Sequence, residues 1–305
     1  MIRLGYACIS MATKNNPNKK TTLRQLQKLD PDGQRKKLRA LLQTNFFNLM
    51  EVLAYNKEQG ICLYRLPSEF VPFATHPIAE GWNWEEEFHW DFSNTGEFIR
   101  KHRMRITSHP GHYSLLNSPH PAVLEATIRD FDYHARVLDR MELDEDAVMV
   151  THVGGVYGDK RASLGRFAEN YRKLPSRIKN RLVVENDDTS FTMRDVLELC
   201  EAIRAPMVLD VHHHNCLNNG EDLAEYLPRI LRTWGNRTPK LHFSSPRSEK
   251  DFRSHADDID ADDFRRLLDM LSGCRVDIML ECKNKDLALL KLRQELAEAG
   301  CHPEG

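Results

Sequence analysis

The chain is predicted to fold as one α/β domain, a single (β/α)8 TIM barrel over residues 1–305, and three observations predict it. Eight short apolar runs recur along the chain, each followed by a helical pattern. The runs are continuous in Val, Ile, Leu and Met, as parallel strands buried on both faces are. Six of them deliver a metal-type side chain at or near their end: His109, His152, Glu185, Asp210, His242 and Glu281, separated by 43, 33, 25, 32 and 39 residues. Those intervals are near the length of one strand–helix unit, and a barrel assembles its site from polar groups at the carboxyl ends of successive strands.

The elements follow in order. Ile2–Ala7 is the first strand, and a polar stretch at Thr13–Asp32 belongs to a long loop near residues 8–32. The first helix runs from about Gln34 to Gln59 on the stripe Leu38, Leu41, Leu42, Leu49 and Leu53, and Gly60 ends it. Ile61–Leu66 is the second strand. Residues Pro67–Asp91, with Pro67, Pro72, Pro77, Trp82, Trp84 and Trp90, read as a packed irregular loop, giving a second long insertion near 67–92. Asn94–His102 is the second helix and Met104–His109 the third strand, after which Ser118-Pro119 opens a helix to about Arg140. The later units are compact: Ala147–His152 with Ala162–Leu174, Leu182–Glu185 with Thr192–Ile203, Pro206–Asp210 with Asp222–Leu231, Pro239–Phe243 with Ala261–Leu271, and Val276–Glu281 with Asp286–Ala297. Asp260 is the expected N-cap of the helix at Ala261.

Composition sets the class. The chain is 41% hydrophobic and 29% charged, with no apolar run near the roughly 20 residues of a membrane span. Met1-Ile2-Arg3-Leu4-Gly5-Tyr6 has no signal-peptide pattern, so a cytoplasmic location is expected. Seven scattered cysteines without a C-x-x-C pair argue against a disulfide framework or a thiolate zinc site. The net charge of −2 neither favours nor excludes a nucleic-acid partner. Basic clusters at Lys19–Lys20, Arg35-Lys36-Lys37, Arg100-Lys101-His102-Arg103 and Arg172–Arg181 would be masked in that total by a carboxylate-rich site.

Imidazole and carboxylate donors without thiolates favour Mn²⁺, Fe²⁺, Zn²⁺ or similar ions. His109, His152 and Glu185 are expected to hold one ion; Glu185, Asp210, His242 and Glu281 a second, with Glu185 bridging ions about 3.5–4 Å apart. Asp210-Val211-His212-His213-His214 adds three imidazoles, one of which with His255 is expected to hold a third ion. A lone histidine at a strand end is more often a structural hydrogen-bonding group; six residues of ligand type at successive strand ends are not a coincidence. Tyr6 ends the first strand and Arg65 lies near the end of the second. Alternation places Lys240 on the same side of its strand as His242, pointing inward, where burial of a free ammonium is costly. Ser108-His109-Pro110-Gly111-His112-Tyr113 sets an imidazole and an aromatic ring beside the site, the kind of rings that stack on bases or fill the gap left by an extruded one.

These residues resemble the UV damage endonuclease family along nearly the whole chain. The landmarks are Arg3-Leu4-Gly5-Tyr6, Phe73-Ala74-Thr75-His76-Pro77, Ser108-His109-Pro110-Gly111, His152-Val153-Gly154-Gly155, Val184-Glu185-Asn186-Asp187, Asp210 through His214, Lys240-Leu241-His242 and Leu280-Glu281-Cys282-Lys283. The resemblance implies an endonuclease that nicks damaged double-stranded DNA immediately 5′ of cyclobutane pyrimidine dimers, 6-4 photoproducts and abasic sites. It implies two or three divalent ions, Mn²⁺ first, with Zn²⁺, Co²⁺ or Mg²⁺ as alternatives. By the same carry-over His109, His152, Glu185, Asp210, His213, His242, His255 and Glu281 are metal ligands, and Glu185, Lys240 and Tyr6 serve catalysis. Lys240 corresponds to a lysine that is carboxylated in some members, a form that would remove the buried ammonium. Tyr6, Ser10, His112 and Tyr113 are the implied lesion contacts. Two of these depart from the family: its lesion-probing Gln-Tyr pair is His112-Tyr113 here, and an Asn near the end of the first strand is Ser10. A monomer without membrane association is expected. The competing readings are an abasic-site endonuclease of the related barrel type, a metal-dependent sugar isomerase, and a non-catalytic DNA-binding protein.

Overall fold

Strands form where the apolar runs lie. A computed structural model, describing residues 1–301, places them at β1 Ile2–Ala7, β2 Leu63–Arg65, β3 Arg105–Thr107, β4 Met149–His152, β5 Leu182–Glu185, β6 Met207–Asp210, β7 Lys240–Phe243 and β8 Val276–Leu280. Neighbours pair in parallel in the order β3-β2-β1-β8-β7-β6-β5-β4. The ring closes between β3 and β4 through one bridge, in which Ser108 N donates to Val148 O and Val150 N to Ser108 O, both at 3.0 Å. This is the eight-stranded barrel the sequence predicts.

The helices are α1 Leu23–Leu26, α2 Pro31–Glu58, α3 Trp84–Glu87, α4 His89–Lys101, α5 Pro121–Arg140, α6 Lys160–Lys173, α7 Ser176–Lys179, α8 Met193–Ile203, α9 Val211–Cys216, α10 Leu223–Arg232, α11 Ala261–Met270 and α12 Lys285–Glu298. Among the described residues no helix is long and apolar enough to cross a membrane. Several details differ from expectation, among them the helix α1 inside the first long loop, and three have a clear local cause. α5 starts at Pro121, not at Ser118-Pro119: His120 precedes a proline, is pushed out of the helical region, and sits extended at φ −95°, ψ 116°. The second insertion is partly helical, because Trp84, Phe88 and Phe92 recur every four residues and pack together with Phe46. The histidine triplet lies in a short helix, α9, whose N-cap Asp210 accepts from His213 N at 2.8 Å.

Alternation along the strands sorts side chains into two layers. Leu4, Tyr6, Tyr64, Ile106, Val184, Leu209, Leu241 and Ile278 face outward and join one continuous core with the helices. The inward residues fill the lumen in three levels. At the bottom Asp277 accepts two bonds from Arg3, both 2.6 Å, and one from Arg105 at 2.8 Å. Val148, Val150, Val183 and Val208 with Trp234, and Ala7, Leu63 and Met279, form a thin apolar middle. The top level carries the polar groups.

Candidate active site

Register brings those groups level. His152 stands beside Glu185 across β4–β5, and Asp210 beside His242 across β6–β7. Glu185, fully buried, is the hub. Its Oε2 lies 3.1 Å from His109 Nε2 and 3.5 Å from His152 Nε2, and its Oε1 lies 2.6 Å from His242 Nδ1 and 3.9 Å from His213 Nδ1. His242 Nδ1 also approaches Glu281 Oε1 at 3.2 Å, and Arg65 pairs with the same oxygen. Lys240 is buried in the lumen with Nζ against His242 Nε2, on the shared side that alternation predicts.

The electrostatics follow from this packing. Burial opposes ionisation of Glu185, but the imidazoles of His242, His152 and His109 outweigh it and hold its pKa well below the ordinary carboxylate value. Burial likewise works against Glu281, and Arg65 with His242 overcomes it. Burial lowers His109, favouring neutral imidazole. His213 is raised to about 9, because Asp210 and Glu185 more than compensate for its burial. Burial and then Arg65 lower Lys240 to about 7.

The donors suit divalent ions. Ligand atoms fall within 4.8 Å of one another in three groups: His109, His152 and Glu185; Glu185, Asp210 and His213; Asp210, His242 and Glu281. Asp210 Oδ2 and His152 Nδ1 are buried without a hydrogen-bond partner. Such orphaned atoms normally cost about 1–3 kcal/mol each, a cost a bound ion would relieve at a ligating oxygen. Ligation needs ionised carboxylates and neutral imidazoles, the states favoured at Glu185, Glu281 and His109, whereas His213 would have to release a proton to a bound ion. Against the expected division, the first group is as read, while the second separates into two that share Asp210.

His255 does not join any of these groups. Its Nδ1 contacts the backbone oxygen of Glu281, and its ring lies 6.5 Å from that of His213. Among the described residues His213 gathers with Glu185 and Asp210, in a group that does not include His255.

Two expected lesion contacts also move. Tyr6 has the wrong parity for the lumen: it faces the helices, fully buried, with its hydroxyl donating to Asn56 Oδ1 at 2.8 Å and its ring edge-on to Tyr64. Ser10 is buried and donates to Asp286 Oδ2 at 2.9 Å. Asp286 also accepts from Met11 N and Ala12 N, so Ser10 fixes the loop after β1 and does not present its hydroxyl to solvent. His112 and Tyr113 are exposed, with their rings 6.0 Å apart, and Tyr113 borders a cleft of about 380 Å³ that Lys20, Ser68, Phe73 and Tyr133 also line.

Topology divides the basic clusters as well. Lys19–Lys20 and Arg35-Lys36-Lys37 follow β1 and lie on the side that bears the histidine–carboxylate cluster. Arg100 to Arg103 precede β3 and Arg172 to Arg181 precede β5, which puts both at the opposite end of the barrel. Sequence reasoning gave no role to Asn186, which exchanges hydrogen bonds with the Asp210 backbone, both 2.9 Å, and whose carbonyl lies 2.9 Å from His213 Nδ1. Its place directly after Glu185 was the available signal.

Fold and site thus define a parallel barrel with a histidine–carboxylate cluster of metal-ligand type at the carboxyl ends of its strands. The family model of UV-endonuclease UvdE matches residues 2–301. A UV DNA damage endonuclease of Bacillus pumilus (strain SAFR-032) is 38% identical over 303 residues, 97% of this chain and 94% of its own length. One from Bacillus cereus (strain B4264) is 38% identical over 302 residues, covering 97% and 95%. The crystal structure of SacUVDE superposes with a TM-score of 0.90 at 33% identity over 98% of this chain and 99% of that one. Endonuclease IV from Thermus thermophilus, with a TM-score of 0.60 at 17% identity over 97% of this chain and 99% of that one, shares the fold. The chain belongs to the UV-endonuclease UvdE family.

Proposed function

We propose that the protein is a DNA repair endonuclease that hydrolyses the phosphodiester bond immediately 5′ of UV lesions in double-stranded DNA. Cyclobutane pyrimidine dimers, 6-4 photoproducts and abasic sites are the substrates, and the products carry 3′-hydroxyl and 5′-phosphate ends. The observation that carries this reading is the convergence of His109, His152, His213 and His242 on Glu185, beside a rim that exposes His112 and Tyr113. Family membership supports the same reaction class.

His109, His152, Glu185, Asp210, His213, His242 and Glu281 would hold the ions, with Mn²⁺ the expected metal. When bound, divalent ions supply activation of water and charge neutralisation on the scissile phosphate. The remaining work belongs to the protein. Arg65 fixes the Glu281 carboxylate, and Asn186 fixes the loop through Asp210. Near neutral pH a share of Lys240 is unprotonated, so Nζ can accept a proton inside the lumen; the neutral amine is also the form that carboxylation of Lys240 requires. His112 and Tyr113 enter the duplex where damage has already weakened pairing, so extrusion costs less than the few kcal/mol of a sound pair.

The test is a nicking assay with purified protein, Mn²⁺ and a duplex holding one thymine dimer, beside an undamaged control. A single nick 5′ of the dimer is expected. Nicking of an abasic duplex alone would transfer the assignment to an abasic-site endonuclease, and no nick on either would remove the reading.

A further inference from the structure

Two tyrosines on the ligand-bearing side of the barrel are built alike. In Gly111-His112-Tyr113 and Gly155-Val156-Tyr157 the ring lies over the glycine two residues before it. A Cβ at Gly111 would meet Tyr113 Cε1 at 2.2 Å, and one at Gly155 would meet Tyr157 Cε2 at 3.0 Å. Both rings remain open to solvent, at 57% and 40%. The loops that carry them are bolted together: Asn117, four residues past Tyr113, donates from Nδ2 to Gly155 O at 2.7 Å. Arg166 donates to Asn117 O at 2.9 Å and to Ser163 Oγ at 2.7 Å, and its guanidinium sits 5.5 Å from the Tyr157 ring centre.

Tyr157 also has φ +50°, between Gly154 at +112° and Gly158 at +80°. A bulky residue in the left-handed region is a genuine outlier, kept only where the surroundings over-determine it, and such outliers gather at functional sites. A backbone bent against its preference to hold an aromatic ring in solvent, five residues past the ligand His152, calls for a partner outside the chain. We infer that Tyr157, backed by Arg166, is a second DNA-contacting ring, which packs on a nucleotide flanking the lesion while Tyr113 enters the duplex.

The inference rests on the proposed lesion-nicking activity, and its test separates the two. Steady-state nicking of the dimer duplex is compared for wild type, Tyr157→Phe and Tyr157→Gly, with thermal midpoints for all three. Base–aromatic stacking predicts a KM about tenfold higher for Tyr157→Gly, with Tyr157→Phe near wild type. The thermal midpoint of Tyr157→Gly should not fall, because glycine tolerates φ +50°. Shortening the duplex on one side of the lesion should raise the wild-type KM to that of Tyr157→Gly and leave the variant's own KM almost unchanged. An unaltered KM in Tyr157→Gly overturns the inference, as does a KM rise matched by a lower thermal midpoint, which would make the ring a loop prop. If wild type does not nick the dimer duplex, the underlying reading has failed, and this one with it.

Discussion

Glu185 shows at residue scale what the fold delivers: one carboxylate touched by imidazoles from β4, β7, α9 and the loop after β3. Glu185→Gln keeps the shape and removes the charge, so bound metal and nicking should both fall, by more than the roughly 10- to 100-fold that follows loss of an outer-shell partner. Damaged-DNA binding should persist, and elemental analysis beside the nicking assay reads both. Full activity in this variant would sink the assignment of Glu185 as a shared ligand. Tyr6 gives the opposite expectation. Its hydroxyl bonds Asn56 in the outer core, so Tyr6→Phe should leave nicking within about twofold of wild type and lower unfolding free energy by about 1 kcal/mol, read by urea denaturation. A collapse of nicking in the folded variant would return Tyr6 to the lesion pocket.

At the scale of elements, the strands were legible because each apolar run is long enough only for a strand, and six of the eight carry at or near their end a side chain that a core would not tolerate alone. The alternation that pairs Lys240 with His242 also carries the parity that turns Tyr6 away from the lumen. Ser10 was beyond such reasoning: its partner Asp286 lies 276 residues away on α12. The direction of the His255 ring was out of reach for a related reason, since an irregular loop has no period from which to read it. The charged floor of the lumen was equally invisible before the register was known. Asp277 there pairs with both Arg3 and Arg105, one negative charge against two positive, and Arg105 also donates to the backbone oxygens of Asp146 and Thr238. Removing one partner of a buried ion group commonly costs about 3–5 kcal/mol. Asp277→Asn should therefore lower the urea midpoint strongly, and nicking per folded molecule should stay near wild type.

For the whole molecule, acid stability should depend on a buried histidine outside the ligand cluster. His134 on α5 has a buried Nε2 without a hydrogen-bond partner, 3.9 Å from Asp130 Oδ1, and burial outweighs that carboxylate and lowers its pKa to about 3. Below the ordinary histidine value of about 6.5 the unfolded chain takes up a proton that the native protein refuses, so stability falls with pH until about pH 3. Between about pH 7.5 and pH 5 this should remove about 2 kcal/mol in wild type. Denaturation of His134→Gln at both values should show a correspondingly smaller loss, and an equal loss would assign the acid sensitivity elsewhere.

The single bridge between β3 and β4 makes the barrel a split ring. His109 stands one residue past that bridge, His152 ends the facing strand, and both reach for Glu185 on β5. An ion on these three residues would act as a clasp across the seam with the fewest backbone bonds. Chelation should therefore loosen the molecule unevenly: amide hydrogen exchange would quicken at residues 105–109 and 149–152 well before the β1–β8 seam, and added Mn²⁺ would restore protection there first.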